Sequence, residues 1–139
     1  MPKAFFDTNI VIYAFSDDAR ASIAGTLLLQ GGDISVQVLN EFTHVARRKM
    51  GFDWAMIGTA IADLQLLVRA VHPIDIGIHS SARVIAERYR LSFYDSLIVA
   101  SALHARCDIL YSEDMQDGME VEGKIVIRNP FLALSCALP

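Results

Sequence analysis

The sequence has 139 residues, a formal net charge of −4, and 53% hydrophobic against 20% charged residues. That balance excludes a disordered chain or a collagen-like repeat, and the length sets the expectation of one domain over residues 1–139. Net negative charge argues against a protein that coats nucleic acid, although an enzyme that meets nucleic acid through metal ions stays open.

Residues 3–6 read as a short buried strand ending at Asp7, with Asp7 or Thr8 capping a helix over 9–15. Asp17 and Asp18 are expected to open a second helix that stops at Gly31-Gly32. Residues 34–36 form a second strand, and a third helix runs over 38–50 to Gly51. Apolar residues at Ile57, Ile61, Leu64, Leu67 and Val68 give a helical period over 54–70. A strand over 71–76 is interrupted by Pro73, which lacks the N–H a ladder needs, so it belongs at an edge or a strand end. Two helices over 78–89 and 94–104 follow, then strands over 108–111 and 125–127. Short apolar strands alternating with longer helices predict an α/β fold: three α/β/α layers around a mostly parallel sheet. Such sheets bind ligands at the carboxyl ends of their strands.

No apolar run approaches the roughly 18 residues of a spanning helix, and the first residues hold no stretch of signal-peptide length. A cytoplasmic protein with no membrane association is expected. Cys107 and Cys136 fit neither a zinc spacing nor a disulfide framework and are expected to be buried thiols.

Asp7 follows the first strand, and Asp114 and Asp117 follow the strand over 108–111. Glu41 stands three residues after Val38 and four before Val45, on the apolar face of its helix. Asp95 repeats that spacing against Ile98, Val99 and Ala102. A carboxylate turned toward a core costs several kcal/mol unless it finds a cation, donors or a solvated rim. Plainer roles exist: Asp7 and Asp95 as helix caps, Glu41 as a partner of Arg47 or Arg48, Asp114 and Asp117 as turn residues. A shared acidic pocket accounts for all of them at once. Clustered carboxylates raise one another's pKa, and a divalent ion relieves this. Oxygen ligands without paired Cys or His favour Mg²⁺, with Mn²⁺ as the alternative. The chemistry such a site suits is metal-assisted phosphodiester hydrolysis, with a free carboxylate taking a proton from water.

The stretches Phe5-Phe6-Asp7-Thr8-Asn9, Val38-Leu39-Asn40-Glu41-Phe42, Ser92-Phe93-Tyr94-Asp95-Ser96-Leu97 and Leu110-Tyr111-Ser112-Glu113-Asp114-Met115-Gln116-Asp117-Gly118, with Asn129-Pro130-Phe131 at the close, resemble in order and spacing the PIN domain, and within it the VapC-type toxins of bacterial toxin–antitoxin pairs. The resemblance spans almost the whole chain. It implies a magnesium-dependent endoribonuclease, commonly a homodimer, held inactive by a small antitoxin protein. By position it implies Asp7, Asp95 and Asp114 at the metal, Glu41 or Asp117 orienting the attacking water, and Asp114 completing the catalytic set. Thr8, Asn9 and Ser112 would position substrate in the same pocket. Glu113 departs from the family pattern, which often has Asn or Arg there, and places an additional acid near the pocket.

Two other classes stay open. A PIN-fold binding module would keep the architecture without chemistry. A phosphoryl-handling α/β domain is the other, although Asn9 stands where the aspartate-nucleophile phosphatases place a second Asp, and Thr8 breaks the acidic pair of a receiver. The run Arg47-Arg48-Lys49 is either a solvated helix end or a phosphate contact, and Arg83, Arg88 and Arg90 carry the same ambiguity. His44, His72, His79 and His104 show no ligand pairing and read as structural or exposed. The wide apolar faces over 21–29 and 54–68 serve the core, a dimer interface or an antitoxin groove.

Overall fold

A computed structural model describes residues 2–137, with side chains through residue 134. In chain order the elements are β1 (Ala4–Phe6), α1 (Thr8–Ala14), α2 (Ala21–Gln30), β2 (Asp33–Ser35), α3 (Val36–Arg48), α4 (Trp54–Leu67), β3 (Ala70–His72), α5 (Ile76–Tyr89), α6 (Phe93–His104), β4 (Ile109–Tyr111), β5 (Glu120–Val121), β6 (Ile125–Arg128) and α7 (Leu132–Ala137). The sheet is six-stranded in the order β3-β2-β1-β4-β6-β5. All its pairings are parallel except that of β5 with β6.

Phe5 and Phe6 are both fully buried. Neighbouring strand residues point to opposite faces, so the sheet is covered on both sides, as a parallel sheet requires. Ile34, Leu110 and Ile127 extend that core across the neighbouring strands. Each such side chain contributes roughly 1.5–3 kcal/mol of burial. From β1 the chain winds outward through β2 to β3, then returns to place β4 on the other side of β1. The switch in winding direction falls between β1 and β4, and a crevice opens at the carboxyl ends of strands at such a point.

Gly31 and Gly32 end α2 for different reasons. Gly31 takes φ +98°, a left-handed conformation that side chains disfavour. A Cβ on Gly32 would stand 2.6 Å from the Phe6 ring and 2.9 Å from the Ala4 carbonyl oxygen. The chain therefore passes against β1 only as glycine. At the far edge, β3 stops at His72, one residue short of Pro73, so the missing N–H is never asked of the ladder.

Several boundaries differ from expectation. Asp17 and Asp18 do not open α2, which starts at Ala21. Asp18 instead closes a turn, accepting from Arg20 N and the Arg20 guanidinium. Helix α3 begins at Val36, so that residue leaves the expected strand. Helix α4 ends at Leu67 because Ala70 joins the sheet beside Asp33. Two elements went unanticipated: β5, a two-residue strand, and α7, which follows Pro130. Cys107 is buried as expected; Cys136 lies outside the described side chains. Among the described residues no helix is long and apolar enough to cross a membrane.

Candidate active site

Asp7 sits where β1 ends and α1 begins, and it serves both. Its Oδ1 accepts the Thr8 N–H at 2.7 Å, which makes it the cap of α1. Its Oδ2 accepts the Ser112 hydroxyl at 2.6 Å, from the loop after β4. That hydroxyl in turn accepts the Met115 N–H, which fixes its direction. Asp7 is only 3% exposed. Burial pushes its carboxyl up from 3.8 to about 7; the Ser112 and Thr8 hydrogen bonds oppose the rise, and the charges of Asp95 and Glu41 add to it.

Asn9, half a turn into α1, ties the first and fourth strands together. Its Nδ2 donates to Asp114 Oδ2 at 3.1 Å and reaches Asp7 Oδ2 at 3.4 Å, and its Oδ1 accepts Glu113 N. Thr8 donates its hydroxyl to Glu41 Oε1 at 2.6 Å, linking α1 to α3. Glu41 therefore meets Thr8, with no ion pair to Arg47 or Arg48 among the described residues. Arg47 turns away to the Phe52 carbonyl and over the Trp54 ring. Asp95 does not cap α6. Ser92 is the cap, accepting Asp95 N at 3.1 Å, so the Asp95 carboxylate stands in the first turn without capping the helix. Burial holds the Asp95 carboxyl above its usual range, a hydrogen bond with Ser92 opposes this, and the charge of Asp114 raises it further.

Asp7, Glu41, Asp95 and Asp114 are thus linked by hydrogen bonds or by mutual repulsion, at the switch point between β1 and β4. Asp117 is not joined to them: its Oδ1 accepts Asn129 N at 2.8 Å and fastens the exit of β6. Glu113 is also drawn aside. Arg20 pairs with it at 2.9 Å, the Tyr13 hydroxyl donates to it, and Arg20 lies over the Tyr13 ring. The additional acid expected from the sequence is therefore neutralised by its own cation.

Asp33, which no sequence pattern singles out, is 1% exposed at the start of β2 and held by Arg69 at 2.8 Å, His72 at 2.7 Å and Lys3 at 3.8 Å. Arg69 and Lys3 supply the counter-charge that makes it a buried structural carboxylate, and the hydrogen bond with Asp33 accounts for His72. The contrast identifies the other group. No Lys, Arg or His ion pair reaches Asp7, Glu41, Asp95 or Asp114 among the described residues.

Uncompensated oxygen donors of this kind fit a hard dication. Among the described residues no three His, Cys, Asp or Glu side chains stand as a ready-made cage. Mg²⁺ does not require one, since it keeps several waters and is bound through one or two carboxylates. Asp7 and Asp114, spaced by the Asn9 amide, meet that need.

The fold matches solved structures of toxin–antitoxin proteins. A toxin–antitoxin complex from Klebsiella pneumoniae aligns with TM-score 0.71 at 23% identity, covering 92% of this chain and 98% of that one. The Mycobacterium tuberculosis toxin VapC20, described as cleaving the sarcin–ricin loop, aligns with TM-score 0.65 at 23% identity over 81% of this chain and 90% of that one. VapBC2 from Rickettsia felis, bound to a DNA fragment from its promoter, gives TM-score 0.65 at 16% identity over 91% and 97%. No curated protein sequence matches the chain. The family model for the PIN domain matches residues 4–117, which include β1, Glu41, Asp95 and the loop after β4. The chain belongs to the PIN domain family.

Proposed function

We propose that this chain is a divalent-metal-dependent endoribonuclease, built as a single PIN unit, and the toxin of a toxin–antitoxin pair. The observation that carries the reading is Asp7: a buried carboxylate without a cation, aimed by Thr8 N and Ser112, with three further acids around it. Membership of the PIN family supports nuclease chemistry. The aligned toxin–antitoxin structures support an antitoxin partner and an RNA substrate, and the family resemblance adds a homodimer.

Asp7 and Asp114 would hold Mg²⁺ or Mn²⁺, with Asp95 holding it through water. When bound, the ion supplies positive charge against the phosphoryl oxygens and acidifies water. Thr8 keeps Glu41 Oε1 occupied, so Oε2 is the atom left to orient the attacking water and accept its proton. Asp117 was the other candidate for that role; its bond to Asn129 N favours Glu41. Asn9 and Ser112 hold Asp114 and Asp7 in register, and Thr8 lies beside them to position substrate.

The test is cleavage of total RNA by the purified chain with Mg²⁺ or Mn²⁺. Cleavage that stops on EDTA addition and is absent from a folded Asp7→Asn variant supports the assignment. Full activity in that variant, or in EDTA, refutes it.

A further inference from the structure

We propose that the far end of α3, together with the start of α4, is a docking surface for single-stranded RNA that leads away from the acidic pocket. The inference rests on the nuclease reading and deepens it by giving the substrate a path. Asn40, Thr43, His44, Arg47, Arg48 and Trp54 line a cavity of about 480 Å³. None of its lining is aliphatic: it offers amide, hydroxyl, imidazole, guanidinium and indole. Trp54 is 66% exposed, and Arg47 lies 5.1 Å over its ring. Stacking faces beside guanidinium groups are what a nucleobase and its phosphate require.

The surface is continuous with the site. Asn40, His44, Arg47 and Arg48 recur at three- and four-residue spacing and share one face of α3. Arg48 lies seven residues after Glu41, two turns along the same side and about 10 Å away. A strand whose phosphate sits at the acids therefore meets a cation at the next positions. The chain as a whole is acidic, with a net charge of −4, yet Arg47, Arg48 and Lys49 are consecutive. The adjacent acid, Asp53, is turned to Met56 N as the cap of α4. An acidic protein segment would use the charges but not the exposed indole and amide, so RNA is the better fit.

The test uses a short, fluorescein-labelled single-stranded oligoribonucleotide of mixed sequence, in EDTA so that it stays whole. Trp54 is the only tryptophan, so its emission reports the surface directly. Expected is quenching of Trp54 at the same RNA concentrations that raise the anisotropy of the label. Arg48→Ala removes a side chain that has no partner among the described residues. It should weaken binding and reduce the log–log salt slope by about 0.7, the value for one phosphate on a single strand. Trp54→Ala should weaken binding about five-fold or more while Trp54→Phe retains most of it. Binding of both alanine variants at wild-type strength overturns the proposal. So does preferential capture of an oligoglutamate peptide, which would make this a protein-docking face. Cleavage assays on the same proteins separate the two ideas. Normal cleavage with unchanged KM in Arg48→Ala and Trp54→Ala removes the surface and leaves the nuclease. RNA binding at Trp54 without any cleavage by the wild type keeps the surface and removes the nuclease.

Discussion

Replacing Asp7 with Asn should make the metal-free protein more stable at pH 8 while abolishing its activity. In the folded state the Asp7 carboxyl titrates at about 7 rather than 3.8, chiefly because it is buried. The folded state therefore binds more protons than the unfolded state between these values, and stability falls as pH rises through that window. The burden is absent below about pH 4 and complete above about pH 7. At 1.36 kcal/mol per pKa unit it is on the order of 4 kcal/mol at pH 8. An Asn side chain keeps one oxygen for the Thr8 N–H and turns its amide N–H to the Ser112 oxygen, at a cost of about 1 kcal/mol for the altered pair. The net expectation is a gain of about 3 kcal/mol at pH 8, turning into a loss of about 1 kcal/mol near pH 4. Urea unfolding of both proteins in EDTA from pH 4.5 to 8 measures it. An Asn variant no more stable than wild type at pH 8, or a gap that does not change with pH, would refute the reasoning.

Glu41→Gln should reduce RNA cleavage by about a hundred-fold or more, the range for a lost general base, whereas Asp117→Asn should leave most activity in place; single-turnover cleavage compares them. Glu113→Gln should lower the pKa of Tyr13, which burial first and then Glu113 hold at about 12, so an ultraviolet titration should gain one phenol ionising nearer 10. Arg20→Ala should release Glu113 as an extra free acid, and the Mg²⁺ concentration for half-maximal cleavage should change while Glu113→Gln in the same background restores it. Asp33→Ala should destabilise by about 1–3 kcal/mol in thermal or urea unfolding, because it removes the charged hydrogen bond that Arg69 donates to it, while Arg69 itself stays half exposed to water.

The sheet and most helices could be read from the sequence because their apolar residues carry the period of their structure. Glu41 was legible for the same reason: a carboxylate at helical spacing between valines has to be explained. Asp95 was legible as an inward acid but not as an uncapped one, since Ser92 takes the cap three residues earlier. Strand β5 is two residues long, too short for any alternation to show, and it exists because β6 offers it an edge. The Glu113–Arg20–Tyr13 group joins residues that lie far apart in the chain, and no local pattern announces it. Asp33 sits in a three-residue strand, and its character as a held structural acid depends on Lys3 and on Arg69, the residue just before β3. Pairings of this kind are set by the order of strands in the sheet, which local pattern does not encode.

The central claim is that Asp7 and its neighbours form one carboxylate site for a hard dication. Calorimetric titration of Mn²⁺ into the metal-free protein at pH 7, repeated in buffers of different ionisation enthalpy, tests it most directly. The account predicts binding that releases about half a proton, because Asp7 is half protonated there and must ionise to bind. That binding and the proton release should both vanish in Asp7→Asn and weaken in Asp114→Asn. Unchanged Mn²⁺ binding in Asp7→Asn would contradict it.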